Sequence, residues 1–213
     1  MDFFKRPYGV GAAPNLYMLA PPRLLKTASY LVKDRKYLES RIKVALYQLR
    51  YPEAPWLTSS AVQFLIESLT KDMRAFEWGS GRSTLWIAKR VRELVSVEHD
   101  PQWHEKVTAE IAKAKLRNVT CLLASAAPGE TAYPGQIGTY PDGYFDFILV
   151  DGAQRGACIA AAVAKLSPRG FLVIDNADEG YDTTPCRFLT KTHTHNGVWA
   201  TDIYHRKGER PEA

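Results

Sequence analysis

The stretch Ala75-Phe76-Glu77-Trp78-Gly79-Ser80-Gly81-Arg82-Ser83-Thr84 combines the residue types that a loop needs to hold a small molecule. An apolar run leads to Glu77, two glycines follow at alternate positions, and a helical pattern then begins. Gly79 can adopt a positive φ at no steric cost, and Gly81 has no side chain to keep a ligand away from the backbone. Ser83-Thr84 falls in the first helical turn, where backbone N–H groups lack partners. The pattern predicts a strand, a tight turn and a helix that together form a ligand-binding loop.

A second candidate residue, Glu98, ends the next predicted strand, in the segment Glu93-Leu94-Val95-Ser96-Val97-Glu98-His99-Asp100. It follows Gly79 by about twenty residues, the spacing at which an acidic side chain can accept both hydroxyl groups of a ribose. His99 could contact the same ligand or cap the strand. Two features that suit one ligand favour a nucleoside site over a turn that binds nothing.

Strand-like and helix-like segments alternate through most of the chain, which predicts an α/β fold with a doubly wound, mostly parallel sheet. The predicted strands cover residues 75–78, 95–98, 119–123, 145–152 and 171–174, and a final antiparallel strand covers 198–205. The predicted helices cover residues 23–50, 60–69, 83–91, 101–115 and 156–166. Ligands of such sheets bind beyond the carboxyl ends of the strands. We therefore expect four acids at these ends to share one edge: Glu77, Glu98, Asp151 and Asp175.

Four further segments have recognisable patterns. An apolar stripe along residues 24–49 predicts an amphipathic helix that either docks on its own domain or forms a homodimer seam. The sequence at 60–63 fits a capping box for the second helix. Residues 125–143 are rich in glycine and proline, which favours a lid or binding loop, and 168–170 is predicted to be a turn.

Composition limits the class of protein. The chain has 213 residues, a formal net charge of +5 and 46% hydrophobic residues, which is ordinary for a globular protein. Three cysteines without a C-x-x-C pair indicate neither a disulfide framework nor a zinc site. With no apolar run of membrane-spanning length and no signal-like start, we expect a cytoplasmic protein without membrane partners. We divide the chain into an N-terminal arm and helix at 1–55, a main domain at 56–207 and a tail at 208–213.

From about residue 56 to 206 the chain resembles the class I S-adenosylmethionine-dependent methyltransferases. The matching stretches are Glu77-Trp78-Gly79-Ser80-Gly81, Val97-Glu98-His99-Asp100, Leu149-Val150-Asp151-Gly152 and Pro168-Arg169-Gly170-Phe171-Leu172-Val173-Ile174-Asp175-Asn176. The resemblance implies a seven-stranded Rossmann-like sheet and S-adenosyl-L-methionine as cofactor. The cofactor contacts expected from the loop, the spacing and the resemblance are Glu77, Trp78, Gly79, Ser80, Gly81, Ser83, Thr84, Glu98, His99, Ser125, Ala126 and Asp151.

Within this resemblance, the glycine loop would lie under the methionine and ribose of the cofactor. A carboxylate such as Glu77 would hold its ammonium group, and the segment with Ser125 and Ala126 would bracket the adenine. Two positions depart from familiar patterns. Thr84 replaces the third glycine of a dinucleotide fingerprint, which argues against a nicotinamide cofactor, and an acid common on the adenine side is missing near Ser125.

Methyl transfer is an in-line displacement, so positioning is its main requirement, and a base helps when the acceptor is a hydroxyl. Asp151 is the first candidate for this base, although Asp151-Gly152 could equally cap a turn. Asp151, Asp175 and Asn176 also resemble the ligand set of metal-dependent O-methyltransferases of the catechol type, which implies a divalent metal such as magnesium. The lysine that those enzymes place three residues after the aspartate is replaced here by Gln154.

The expected acceptor is a hydroxyl or carboxyl oxygen of a small molecule or saccharide. The aromatic residues Trp78, Tyr133, Tyr140 and Tyr181 could form a wall for it, and Arg155 could hold an anionic group. Alternatives are a nicotinamide-dependent oxidoreductase and a non-catalytic scaffold that binds S-adenosylmethionine. Nucleic acid is a weaker candidate, because no motif of the base-modifying enzymes is present.

Overall fold

Seven strands form a single sheet in the computed structural model, which describes residues 35–206. Their spatial order is β3-β2-β1-β4-β5-β7-β6. The strands are β1 (Arg74–Trp78), β2 (Glu93–Glu98), β3 (Val119–Leu123), β4 (Phe145–Val150), β5 (Leu166–Asp175), β6 (Leu189–His195) and β7 (Ala200–Arg206). The first five strands run parallel, and β7 is antiparallel to both of its neighbours. This confirms the predicted mostly parallel sheet with a final antiparallel strand.

Helices connect the strands and pack on both faces. They are α1 (Arg35–Arg50), α2 (Ser59–Ser68), α3 (Arg82–Ala88), α4 (Pro101–Lys113), α5 (Ala132–Gly135) and α6 (Arg155–Ala162). The strands β1, β2, β4 and most of β5 are buried on both sides, as their apolar character requires, whereas the edge strand β3 is partly exposed. Phe76 and Trp78 of β1 join the hydrophobic cluster on one face of the sheet, whereas Ala75 joins the cluster on the other. By the alternation of a strand, Glu77 therefore points to the face on which α3 begins.

The N-terminal helix is confirmed over α1, and the rest of the predicted helix 23–50 lies outside the described residues, as do the arm and the tail from residue 207. No residue of α1 is fully buried. Ile42, Leu46 and Leu49 are each half exposed, at 51%, 59% and 50%. The predicted homodimer through this stripe stays a prediction. Within residues 35–206, no helix has the length and apolar character to span a bilayer.

Three local predictions need correction. The helix α2 is capped by Thr58 rather than by a box at residue 60, because the Thr58 hydroxyl accepts the N–H of Ala61 at 3.3 Å. Residues 168–170 do not form a turn before β5 but belong to that strand, whose register with β4 shifts between Phe145 and Phe147. The loop 125–143 is partly helical, since it contains α5 and a 3-10 turn at Gln136–Thr139.

Candidate active site

The four predicted acids lie at neighbouring strand ends along one edge of the sheet. Trp78 pairs with Val97 on one side and with Val150 on the other, and Val150 pairs with Ile174. Each of these paired positions has an acid beside it in the chain. Glu77 directly precedes the paired residue of β1, and the paired residues of β2, β4 and β5 are directly followed by Glu98, Asp151 and Asp175. The sheet order places the ends of β2, β1, β4 and β5 side by side, so the acids share the edge where ligands of such sheets bind.

The glycine turn after β1 is held closed by its own backbone donors. Gly79 has φ +95° and donates its N–H to the carbonyl of Val97 at 2.8 Å. The N–H of Ser80 donates to Oε2 of Glu98 at 3.1 Å, and the N–H of Gly81 donates to the Thr84 hydroxyl at 2.8 Å. All three N–H groups are therefore engaged within the protein, so the turn presents a fixed shape to a ligand.

Space for a ligand lies beside Gly81. A Cβ built on this residue would meet nothing closer than the Trp103 ring nitrogen at 3.9 Å. Trp103 is itself fixed, because its ring N–H donates to the carbonyl of Ser80 at 2.7 Å. The residue adopts extended backbone, with φ 168°, so the missing side chain matters for space rather than for conformation.

The side chain of Glu77, which the resemblance implies as a contact of the cofactor's ammonium group, points into the protein. It is fully buried, and three hydroxyls donate to it: Ser83 at 2.8 Å, Ser96 at 2.7 Å and Thr84 at a shorter distance. Because a carboxylate in this position has no exposed surface, it cannot receive an ammonium group without displacing those donors. Glu77 instead supports the turn from below, through the Thr84 hydroxyl that also binds the N–H of Gly81.

Ser96 is a site residue that sequence reasoning missed. Its hydroxyl donates to Glu77 and lies 2.6 Å from the hydroxyl of Ser80, so the proton of Ser80 must point towards Ser96. The residue is fully buried in the centre of β2. The available signal was a single serine within the apolar run Leu94-Val95-Ser96-Val97, because a buried hydroxyl needs a partner.

Burial of Glu77 predicts a pH-dependent stability. Burial raises the pKa of Glu77 from 4.5 to about 7, although the hydroxyls of Thr84, Ser96 and Ser83 partly oppose the shift. A raised carboxyl pKa means that the folded protein holds this proton more tightly than the unfolded chain. We therefore expect the free energy of unfolding to fall from about pH 4.5 to pH 7, by on the order of 3 kcal/mol from this group.

The measurement is urea unfolding at a series of pH values for wild type and Glu77→Gln. The variant carries no titrating group at this position, so its stability should vary less across this pH range. Glu105→Gln, on the exposed surface of α4, is the control and should keep the wild-type slope. Equal slopes for wild type and Glu77→Gln would contradict the assignment.

Glu98 is oriented by the chain that follows it. Its Oε1 accepts the N–H groups of His99 at 2.7 Å and Asp100 at 2.9 Å, and the His99 ring nitrogen lies 2.8 Å away. Its Oε2 accepts the N–H of Ser80, which leaves capacity on Oε2 for a further donor. The residue is only 3% exposed, so little of its surface is open to a ligand hydroxyl.

The segment predicted near an adenine lies beside Glu98. The strand β3 ends opposite Glu98, and the N–H of Ala124 donates to the Glu98 carbonyl at 2.9 Å. Ser125 is exposed and Ala126 is half-buried. Both residues therefore lie at the rim of the same edge, next to the glycine turn.

The ends of β4 and β5 are joined by Arg155. One guanidinium nitrogen lies 3.0 Å from Oδ1 of Asp151, another lies 3.2 Å from Oδ1 of Asn176, and Nε donates to the carbonyl of Gly152 at 3.0 Å. The same side chain donates to the carbonyl of Asp175. Arg155 is 6% exposed and its guanidinium is engaged by these protein oxygens, which favours a structural role over the possible contact with an anionic acceptor group.

The positive charge of Arg155 is balanced by the carboxylates of Asp151 and Asp175. Burial disfavours the charged form of Arg155, but the carboxylates of Asp151 and Asp175 outweigh it and raise its pKa. Burial, together with the like charge of Asp151, raises the pKa of Asp175, which also accepts the Thr201 hydroxyl at 3.2 Å. Of the four acids at the edge, Asp151 alone has a substantially exposed side chain, at 22%.

Most of the aromatic residues considered as a wall for the acceptor pack in the hydrophobic core instead. Trp78 and Tyr133 are fully buried, and the Trp78 ring N–H donates to the carbonyl of Tyr133 at 3.0 Å. Trp78 can therefore contact a ligand only through its backbone. Tyr140 packs against Phe145 in the same cluster, and Tyr181 lies with its ring 5.6 Å from the Arg155 guanidinium. Tyr181 is therefore adjacent to the partners of Asp151, and the Tyr133 hydroxyl also reaches this edge, 1.9 Å from where a Cβ on Gly152 would lie.

The two histidines of β6 do not form a metal site. Their rings stack at 6.5 Å, and His193 binds the buried carboxylate of Asp202 at 2.6 Å. Across residues 35–206, no group of three or more His, Cys, Asp or Glu side chains is arranged to hold a metal ion.

Comparison with solved structures places this fold among methyltransferases. A candidate methyltransferase from Streptococcus mutans, in complex with SAH, matches with a TM-score of 0.54 and 14% identity over 67% of this chain and 93% of that chain. An rRNA methylase from Streptococcus thermophilus matches with a TM-score of 0.52 and 14% identity, covering 68% and 92%. The precorrin-6y C5,15-methyltransferase of Geobacter metallireducens matches with a TM-score of 0.51 and 17% identity, covering 70% and 88%.

The comparison with sequence families adds evidence of a different kind. No curated protein matches the chain. Residues 76–177 match the model of a family described as a methyltransferase domain, and this range contains the glycine turn and all four acids of the edge. Together with the seven-stranded sheet, this match identifies a methyltransferase domain within residues 76–177 and supports the resemblance of the chain to the class I S-adenosylmethionine-dependent methyltransferases.

Proposed function

We propose that this methyltransferase moves the methyl group of S-adenosylmethionine to an oxygen of a small molecule or saccharide, with Asp151 as the base. The observation that carries the choice of base is the exposed fraction of the four carboxylates at the edge. Glu77, Glu98 and Asp175 are at most 4% exposed, whereas the Asp151 side chain is 22% exposed. An acceptor at this edge would therefore meet the Asp151 carboxylate first.

The cofactor would lie along the glycine turn. The free capacity on Oε2 of Glu98 suits one hydroxyl of the ribose, and the open space beside Gly81 suits the adjoining chain of the cofactor. The rim at Ser125 and Ala126 would border the adenine. In this arrangement Glu77, Ser96 and Thr84 hold the turn in shape without touching the ligand.

The reaction needs one bond to form as another breaks. Bound S-adenosylmethionine would supply the methyl group to the acceptor oxygen, and the electron pair of its C–S bond would remain on the sulfur of the product S-adenosylhomocysteine. The acceptor proton passes to Asp151, whose other side is fixed by the guanidinium of Arg155 at 3.0 Å.

Asp151→Asn separates the role in proton transfer from cofactor binding. The amide keeps an oxygen for Arg155 but cannot accept the acceptor proton. We expect methyl transfer to fall about 100-fold or more, as is typical when a general base is removed, while affinity for S-adenosylhomocysteine changes little. The measurements are mass-detected methyl transfer from S-adenosylmethionine to a small-molecule extract, and calorimetric titration with S-adenosylhomocysteine.

The same titrations test the rival functions. Tight binding of a reduced nicotinamide nucleotide instead of S-adenosylhomocysteine would favour the oxidoreductase. Binding of S-adenosylhomocysteine without methyl transfer to any component of the extract would favour a scaffold. Undiminished transfer by Asp151→Asn would remove Asp151 as the base and leave the methyltransferase assignment intact. Asp142→Asn, an exposed acid paired with Lys165 at 2.7 Å, is the matched control.

A further inference from the structure

The oxygens that resemble a metal-ligand set already surround a positive charge. The guanidinium of Arg155 lies 3.0 Å from Oδ1 of Asp151 and 3.2 Å from Oδ1 of Asn176, and it also donates to the carbonyl of Asp175. These are the three residues that the metal-dependent resemblance would assign to a divalent ion. Side-chain oxygens of Asp151 and Asn176 and the backbone carbonyl of Asp175 converge on the guanidinium instead, while the Asp175 carboxylate accepts the Thr201 hydroxyl at 3.2 Å.

The position of the guanidinium is set by the backbone around it. Gln154 adopts a left-handed conformation, with φ +47°, immediately before α6, and Arg155 is the first residue of that helix. Asn176 is also left-handed, with φ +49°, directly after β5. A non-glycine residue in this region is uncommon, and the two bends together turn the ends of β4 and β5 towards one side chain.

The contacts of Arg155 leave it little freedom to move aside. Its Nε donates to the carbonyl of Gly152 at 3.0 Å, its side chain is 5% exposed, and the ring of Tyr181 lies 5.6 Å from the guanidinium carbon. A planar guanidinium with five N–H donors suits several oxygens at once, whereas a divalent ion at this place would face a like charge at close range.

We propose that Arg155 takes the place of the divalent cation at this edge, so that Asp151, Asp175 and Asn176 form an arginine-filled site that excludes magnesium. The site therefore differs from the metal-dependent O-methyltransferases of the catechol type that its oxygens resemble. The role of Arg155 is to position the Asp151 carboxylate and the end of β5.

The test measures metal binding directly and does not depend on methyl transfer. Mn²⁺ is the probe, because it prefers the same oxygen ligands as Mg²⁺ and its free form is counted by electron paramagnetic resonance. We expect no saturable loss of the free Mn²⁺ signal with wild-type protein up to about 1 mM, the weak end of protein sites for hard cations. The variant Arg155→Met should gain saturable binding, and adding Asp151→Asn to it should abolish that gain.

Two further variants keep the result decisive. Lys165→Met removes another cation from a carboxylate, that of Asp142 at 2.7 Å, and should gain no Mn²⁺ binding. If Arg155→Met does not fold, Arg155→Lys keeps the charge and should fold without binding Mn²⁺. Saturable binding by wild type or by Arg155→Lys, lost on Asp151→Asn, would overturn the proposal. A folded Arg155→Met that binds no Mn²⁺ would overturn it as well.

Failure of this proposal and failure of the proposed function give different results. A wild-type protein that binds Mn²⁺ through Asp151 would still bind S-adenosylhomocysteine and transfer methyl groups. A protein that binds neither Mn²⁺ nor S-adenosylhomocysteine would keep the arginine-filled site and lose the assigned reaction.

Discussion

Replacing Gly81 with valine is expected to abolish binding of S-adenosylhomocysteine while leaving the folded protein nearly as stable as wild type. The reason is the open space at this position, where the nearest atom to an added Cβ is the Trp103 ring nitrogen at 3.9 Å. The backbone is extended at φ 168°, so a side chain adds no conformational strain. Valine would therefore fill the volume proposed for the cofactor instead of colliding with the protein.

The expected loss of affinity for S-adenosylhomocysteine follows from steric overlap between the valine side chain and the cofactor. Branched methyl groups forced into an occupied site cost about 3 kcal/mol, which corresponds to a loss of about 100-fold in affinity. The free energy of unfolding should change by about 1 kcal/mol or less, the typical cost of a poorer residue at a helix N-terminus. Calorimetric titration gives the affinity, and urea unfolding gives the stability.

A graded series supplies the control for Gly81→Val. Gly81→Ala adds a single methyl group, so its affinity should fall between those of wild type and the valine variant. If affinity is unchanged in both variants, the loop is only a turn and the cofactor lies elsewhere. If both variants unfold, the space beside Gly81 is needed by the protein itself.

Much of the fold could be predicted because its signals are local. The strand β3 begins and ends where its apolar run does, and β4 reads as a continuous apolar segment because helices cover both of its faces. The prediction that the four acids share one edge is confirmed by the sheet order, since parallel strands bring their carboxyl ends together.

The direction of the Glu77 side chain was harder to predict, because its partners come from two other elements. Thr84 lies in α3 and Ser96 lies in β2, and their hydroxyls meet only once the sheet has formed. From the sequence, Thr84 was predicted to be a cofactor contact in the first helical turn and a departure from the dinucleotide fingerprint, not a partner of Glu77. In the structure its hydroxyl links Glu77 to the N–H of Gly81, so this departure from the dinucleotide pattern has a structural purpose.

The role of Arg155 depends on backbone conformations that residue types do not reveal. Left-handed residues, Gln154 and Asn176, lie next to Arg155 and to the end of β5, and the Arg155 side chain between these segments is only 5% exposed. Similarly, residues 168–170 carry strong turn signals, but Gly170 lies in β5, where a Cβ would come within 2.9 Å of the Phe145 carbonyl oxygen. Close approach between strands, rather than a turn, requires that glycine.

Replacing Gly79 with alanine should have the opposite signature to Gly81→Val, with a large loss of stability. A Cβ at Gly79 would lie 2.6 Å from the backbone carbonyl oxygen of Asp151. Because a Cβ is bonded directly to the backbone and the oxygen is part of it, neither atom can rotate away. The residue also has φ +95°, which an L-residue with a side chain rarely adopts. Strain and overlap together should lower the free energy of unfolding by about 3 kcal/mol or more.

The control variant Gly129→Ala separates the two causes of the loss expected for Gly79→Ala, which are steric overlap of the Cβ and strain of the positive φ. Gly129 has a similar positive φ of +84°, but a Cβ there would meet no atom within 4 Å. This variant should lose only the conformational part, about 1 kcal/mol, whereas Gly79→Ala should lower Tm by roughly 6–12 °C, as expected for a chain of this length. Equal losses in the two variants would mean that the contact between Gly79 and Asp151 does not constrain the turn. A larger loss at Gly79 would show that the bare backbone brings the ends of β1 and β4 together, which is the arrangement that sets Asp151 beside the glycine turn.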